Sequence, residues 1–114
     1  MSKPKKEVNS LIEELKQLIV QSIDDNKGED IEVIDLSTKT DIASYMILAT
    51  GRVDRHIKSV ADNLTKKLKE FGQDFIVEGM DQKDWVLIDA FDIIVHILKK
   101  ETRESLDLES LWKK

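Results

Sequence analysis

Residues Trp85–Leu98, WVLIDAFDIIVHIL, set two apolar runs rich in β-branched side chains on either side of Asp89-Ala90-Phe91-Asp92. Runs of this kind, parted by so few residues, predict two antiparallel strands joined by a tight turn. With Ala90-Phe91 as the loop, the cross-strand pairs are Asp89 with Asp92, Ile88 with Ile93, Leu87 with Ile94, Val86 with Val95 and Trp85 with His96. Alternation then gives one purely aliphatic face, Val86, Ile88, Ile93, Val95 and Ile97, which reads as core. The other face carries Trp85, Leu87, Asp89, Asp92, Ile94 and His96, and is the one on which to look for function. Ala-Phe is not the Asn-Gly or Gly-X pair that short hairpin loops prefer, and a slip of one residue would exchange the faces.

A lone hairpin is marginal in water, so the rest of the chain must supply further layers. At 114 residues it is long enough to do so as one domain. Val8, Leu11, Ile12, Leu15, Leu18, Ile19 and Ile23 recur at helical spacing, predicting an amphipathic helix from Val8 to Asp25 that Asn26-Lys27-Gly28 ends. Its stripe reads as a face docked on the sheet, with a partner groove or dimer contact as the other reading. Ile31–Leu36 alternates as a strand, Ser37–Asp41 reads as a loop or a short capped turn, and Tyr45–Ala49 is a continuous apolar run; both strands are expected at the centre of a sheet. After Thr50-Gly51 a second helical stripe runs through Ile57, Val60, Ala61, Leu64, Leu68 and Phe71, with Asp54 as N-cap and Gly72 as stop. A short strand, Phe75–Val77, and a polar turn, Glu78–Asp84, lead into the hairpin, and a short tail helix capped by Asp107 closes the chain, anchored by Leu111 and Trp112. This order predicts an α/β single domain, residues 1–114, with a mixed β-sheet and packed helices; residues 1–7 are expected to be flexible.

Charge and composition narrow the function classes. A net charge of −5 argues against a domain that coats a nucleic-acid backbone, although local Lys and Arg clusters leave room for a nucleoprotein partner. The chain has no cysteine, hence no disulfide, thiol nucleophile or cysteine-bound zinc. No apolar run approaches the roughly 20 residues of a membrane-spanning helix, and MSKPKKEV does not open an apolar signal core, so a cytoplasmic protein with no membrane partner is expected. Asp89 and Asp92, as neighbours, have the chemistry to hold a divalent metal, but without a third ligand they read as solvated turn residues. His96 beside Trp85 reads as a general base, a proton switch or a packed, hydrogen-bonded residue, and no serine or cysteine nucleophile accompanies it. His56 is expected on the exposed side of its helix. Strand, Thr50-Gly51, helix is the order of phosphate-binding loops, yet both glycine-rich spacings are missing. No catalytic residue, metal or cofactor emerges. Trp85 and Phe91 are candidate interface anchors, and Trp112 either an anchor or a staple holding the tail to the core.

The ordered set Asp41-x-x-x-Tyr45-Met46-Ile47-Leu48-Ala49-Thr50-Gly51, Arg55-His56-Ile57, Glu78-Gly79, Trp85–Asp89, Asp92–His96 and Arg103-Glu104-x-x-Asp107-Leu108-Glu109-x-Leu111-Trp112 resembles the ribosomal silencing factor, or Iojap, family from Val8 to Trp112. Arg52-Val53-Asp54, Ala90-Phe91 and Leu106 depart from the family pattern. The resemblance implies a nucleotidyltransferase-like topology without the catalytic signature. It implies a translational repressor that binds the large ribosomal subunit through universal large-subunit protein fourteen, with minor ribosomal RNA contacts, and blocks joining of the small subunit when nutrients are scarce. It further implies a homodimer when free. The residues expected to bind the partner are Trp85, Asp89, Phe91, Asp92, His96 and Arg103, followed by Leu106, Asp107 and Trp112. The alternative from another class is a nucleotidyl-transferring enzyme, active or vestigial, using Asp89 and Asp92 with Mg²⁺ and the Thr50-Gly51 loop.

Overall fold

The computed structural model describes residues 5–81 and 84–113, with side chains from Ser10 onward. The expected flexibility of residues 1–7, the Val8 end of the first stripe, and Gln82 and Lys83 of the polar turn fall mostly or wholly outside that description. The elements are α1 (Lys5–Asp25), β1 (Glu29–Asp35), β2 (Tyr45–Thr50), α2 (Asp54–Phe71), β3 (Ile76–Glu78), β4 (Trp85–Asp89), β5 (Ile93–Leu98), α3 (Lys100–Leu106) and α4 (Leu108–Lys113). One mixed sheet runs in the order β1-β2-β5-β4-β3, with β2 and β5 parallel and the other neighbours antiparallel. The last strand of the chain is therefore the middle strand of the sheet. β2 and β5 are almost wholly buried, as their continuous apolar runs require, whereas β1 lies at an edge rather than at the centre. Its Glu29, Asp30, Glu32 and Asp35, with an irregularity between Glu29 and Glu32, suit an edge that must not recruit another strand.

Helices α1 and α2 cover one face. Leu15, Ile19 and Ile23 of α1 and Ile57, Val60, Ala61, Leu64 and Leu68 of α2 pack on Ile47, Ala49, Val86, Ile88, Ile93, Val95 and Ile97. Each large aliphatic side chain buried there contributes on the order of 1.5–3 kcal/mol. The caps differ from expectation. Lys27, not Gly28, takes the left-handed conformation after α1, with φ of 67°. Val53 occupies the N-cap position of α2, and Asp54 is the first helical residue, paired with Lys99 at 2.6 Å. Gly72 ends α2 as expected, its N–H and that of Gln73 donating to the carbonyls of Lys69 and Leu68.

The hairpin register lies two residues from the expected one: Asp89 pairs with Ile94, Ile88 with Val95, Leu87 with His96, Val86 with Ile97 and Trp85 with Leu98. The loop is Phe91-Asp92. Ala90 is fully buried and donates its N–H to the Ile93 carbonyl at 3.0 Å, and the Asp92 carbonyl takes the N–H groups of Ser44 and Tyr45. A shift of two preserves parity, so the assignment of strand side chains to faces survives. The tail holds two short helices instead of one. Asp107, expected as a side-chain cap, bends the chain between them through its backbone, at φ of 47°.

Candidate functional site

The registers align side chains in rows across the face away from α1 and α2. One row is Ile34, Met46, Ile94, Asp89, Ile76; the next is Glu32, Leu48, His96, Leu87, Glu78; the third includes Thr50, Leu98 and Trp85. The tail closes the β1–β2 end of these rows. Leu108 and Trp112 pack against the cluster of Ile34, Leu36, Ala43, Met46, Leu48 and Leu98. Leu111, expected to share the anchoring, is 64% exposed, so Leu108 takes its place. Arg103 pins the tail. Its Nε donates to Glu109 at 2.8 Å, and its Nη1 donates to the Asp30 carbonyl at 2.7 Å and the Thr50 hydroxyl at 3.0 Å. This guanidinium holds the Glu109 carboxyl below the usual carboxylate range. Lys113 pairs with Glu32, and Lys39 donates to the Trp112 carbonyl.

Beyond the tail the rows are open. Ile76 is 52% exposed, Glu78 is exposed, and Trp85, Leu87, Asp89 and Ile94 are half-buried. His96 is buried beneath them. The Trp85 indole N–H donates to its Nδ1 at 2.9 Å, with ring centroids 5.7 Å apart. Nδ1 therefore bears no proton, and burial pushes the His96 pKa down to about 4. Of its three readings, packed and hydrogen-bonded is the one this geometry matches. At the hairpin tip Phe91 is 49% exposed at φ of 70°, held by its N–H donating to the Asp89 carboxylate at 2.9 Å.

Asp89 and Asp92 do not form the expected neighbouring pair. Asp92 lies in the turn and borders a hollow with Leu11, Ile12, Leu15, Phe71, Gly72 and Gln73 on the helix side. Among the described residues no group of three or more His, Cys, Asp or Glu side chains could hold a metal ion, and no helix is long and apolar enough to cross a membrane. The Thr50-Gly51 loop is filled by protein: Thr50 accepts from Arg103, and a Cβ on Gly51 would lie 2.4 Å from Ile57 Cγ1. Glycine is required there for packing. His56 is half-buried rather than exposed, with Nδ1 accepting from the Arg52 N–H at 3.0 Å and Nε2 donating to the Asn26 carbonyl at 2.9 Å.

A family model described as "Ribosomal silencing factor during starvation" matches residues 9–114. The chain belongs to the ribosomal silencing factor family. A relative in Chromobacterium violaceum named ribosomal silencing factor RsfS is 39% identical over 102 residues, 89% of this chain and 84% of that one. A Zymomonas mobilis relative of the same name is 38% identical over 113 residues, 97% of this chain and 85% of the other. A mouse protein named mitochondrial assembly of ribosomal large subunit protein 1 is 27% identical over 99 residues, 83% of this chain and 43% of its own length. The fold agrees: a crystal structure from Chromobacterium violaceum superposes with a TM-score of 0.87 at 39% identity, covering 90% of this chain and 86% of that one.

In this ribosomal silencing factor the nine expected partner-binding residues fall into three groups. Trp85, Asp89 and His96 lie on the open face, Phe91 and Asp92 at the hairpin tip, and Arg103, Leu106, Asp107 and Trp112 in the tail. Arg103 and Trp112 are used to dock the tail; Leu106, 41% exposed, and Asp107 face outward. Sequence reasoning missed Ile76 and Glu78 as members of the open face. Their signal is alternation in β3, too short a strand to fix a face by itself.

Proposed function

We propose that this ribosomal silencing factor binds the large ribosomal subunit in the cytoplasm through universal large-subunit protein fourteen. Seated where the small subunit docks, it keeps the subunits apart and lowers translation when nutrients are scarce. The action is steric and needs no bond made or broken. The observation that carries the reading is Phe91, a large apolar side chain 49% exposed on a left-handed residue at the rim of the open face. Neither core packing nor turn geometry asks for an aromatic there, and a local rule broken at an exposed position points to a surface kept for binding. Behind it Trp85, Leu87 and Ile94 supply apolar surface, with the carboxylates of Asp89 and Glu78 beside them, the mixture of apolar and polar groups usual in an interface. A standard interface takes on the order of 800 Å² from each partner, a small part of this molecule's 7204 Å². The net charge of −5 suits approach to a basic protein surface while discouraging indiscriminate RNA binding.

The test is sedimentation of the purified protein with isolated large subunits, followed by addition of small subunits. The expected result is co-migration with the large subunit and fewer joined ribosomes. A protein that stays at the top of the gradient at low salt overturns the reading.

A further inference from the structure

The open face is not chemically uniform. Where β3 and β4 meet the tail, Glu78, Gly79, Asp84, Trp85, Leu87 and Thr102 line a groove. Glu78 and Leu87 are direct cross-strand partners, so the carboxylate stands beside the apolar floor that Leu87 and Trp85 provide. Gly79 lets the chain pass close to Trp85: it has φ of 90°, and a Cβ would lie 2.4 Å from the Trp85 carbonyl oxygen. Trp85 is held from behind by its hydrogen bond to His96. Both titratable groups among the described lining residues, Glu78 and Asp84, are acidic and exposed. Lys99 lies 3.7 Å from Asp84 but is held more closely by Asp54, at 2.6 Å.

We infer that this groove receives an arginine or lysine side chain of the partner protein, its cationic head between Glu78 and Asp84 and its stem along Trp85 and Leu87. Charge complementarity carries the assignment. A fixed Trp beside carboxylates satisfies a cation through both the ring and charge-assisted hydrogen bonds, and its apolar area covers the methylene stem. The inference rests on the large-subunit reading for the identity of the partner, and names the chemistry that the partner must present.

Two measurements separate the groove from that reading. Affinity for isolated large subunits is measured across salt concentrations for the wild type and for Glu78→Gln/Asp84→Asn, whose exposed substitutions leave the core untouched. The expected loss is about tenfold at low salt, with a shallower salt dependence. In parallel, hexa-arginine peptide is titrated while the Trp85 indole N–H is followed by NMR; it is expected to shift in the wild type and not in the double variant. Unchanged affinity of the variant together with an unmoved Trp85 signal overturns the groove and leaves the large-subunit reading standing. Large subunits that ignore the wild type overturn that reading instead, and the peptide titration then decides the groove alone.

Discussion

His96 couples the open face to pH. Burial holds its folded pKa at about 4, against 6.5 for the free side chain, so the unfolded chain takes up the proton first. The stability contributed by neutral His96 is complete above pH 6.5 and is lost as pH falls from 6.5 toward 4, about 3 kcal/mol in all. Urea unfolding at several pH values should show a smaller loss in His96→Asn, whose side-chain oxygen can still accept the Trp85 N–H. Parallel curves for the two proteins would remove His96 as the source. Truncating Trp85 is a poor probe of binding, since it strands a buried acceptor at a cost of about 1–3 kcal/mol. Phe91 is the better probe. Its left-handed backbone is strained for an aromatic, so Phe91→Gly should keep stability or raise it by up to about 1 kcal/mol while weakening large-subunit binding. Wild-type binding by that folded variant would take Phe91 out of the interface.

Individual elements show how far local pattern carries. The stripes of α1 and α2 and the apolar runs of β2 and β5 were legible because period and burial coincide in them, as with Leu15, Ile19 and Ile23. The hairpin faces were legible although its turn was not, because an error of two residues leaves parity intact. The turn itself depends on Asp92 serving Ser44 and Tyr45, a demand made by a distant part of the chain. The two-helix tail is legible only in part: Lys100–Leu106 has no buried residue and hence no stripe, and its docking draws on polar contacts such as those of Arg103 with Asp30 and Thr50. Arg103→Ala should therefore loosen α3 and α4 without disturbing the α1–α2 core, at about 2 kcal/mol. Hydrogen exchange should quicken in α4 and at the β1 edge and stay slow in α2 and β5; uniform quickening would mean that Arg103 supports the whole fold.

At the scale of the molecule, the sequence is informative about layers and nearly silent about strand order. Alternation in Ile31–Leu36 could not distinguish an edge from a centre, and the parallel pairing of β2 with β5 rests on contacts between distant segments. Family resemblance supplied the function class that composition could only narrow. The groove at Glu78 and Asp84 has no signature in the sequence, since it joins residues from β3, β4 and α3. The placement of β5 also has a consequence for synthesis. The middle strand of the sheet is the last one made, so β2 and β4 have no strand between them until Ile93–Leu98 has been translated. A chain ending at Asp92 should remain unfolded by circular dichroism; a native-like spectrum would show that β5 is dispensable. Until those residues are made, a nascent chain has neither a closed sheet nor the rows of side chains that β5 completes. On the proposed function, a chain made only as far as Asp92 has no face with which to bind the large subunit.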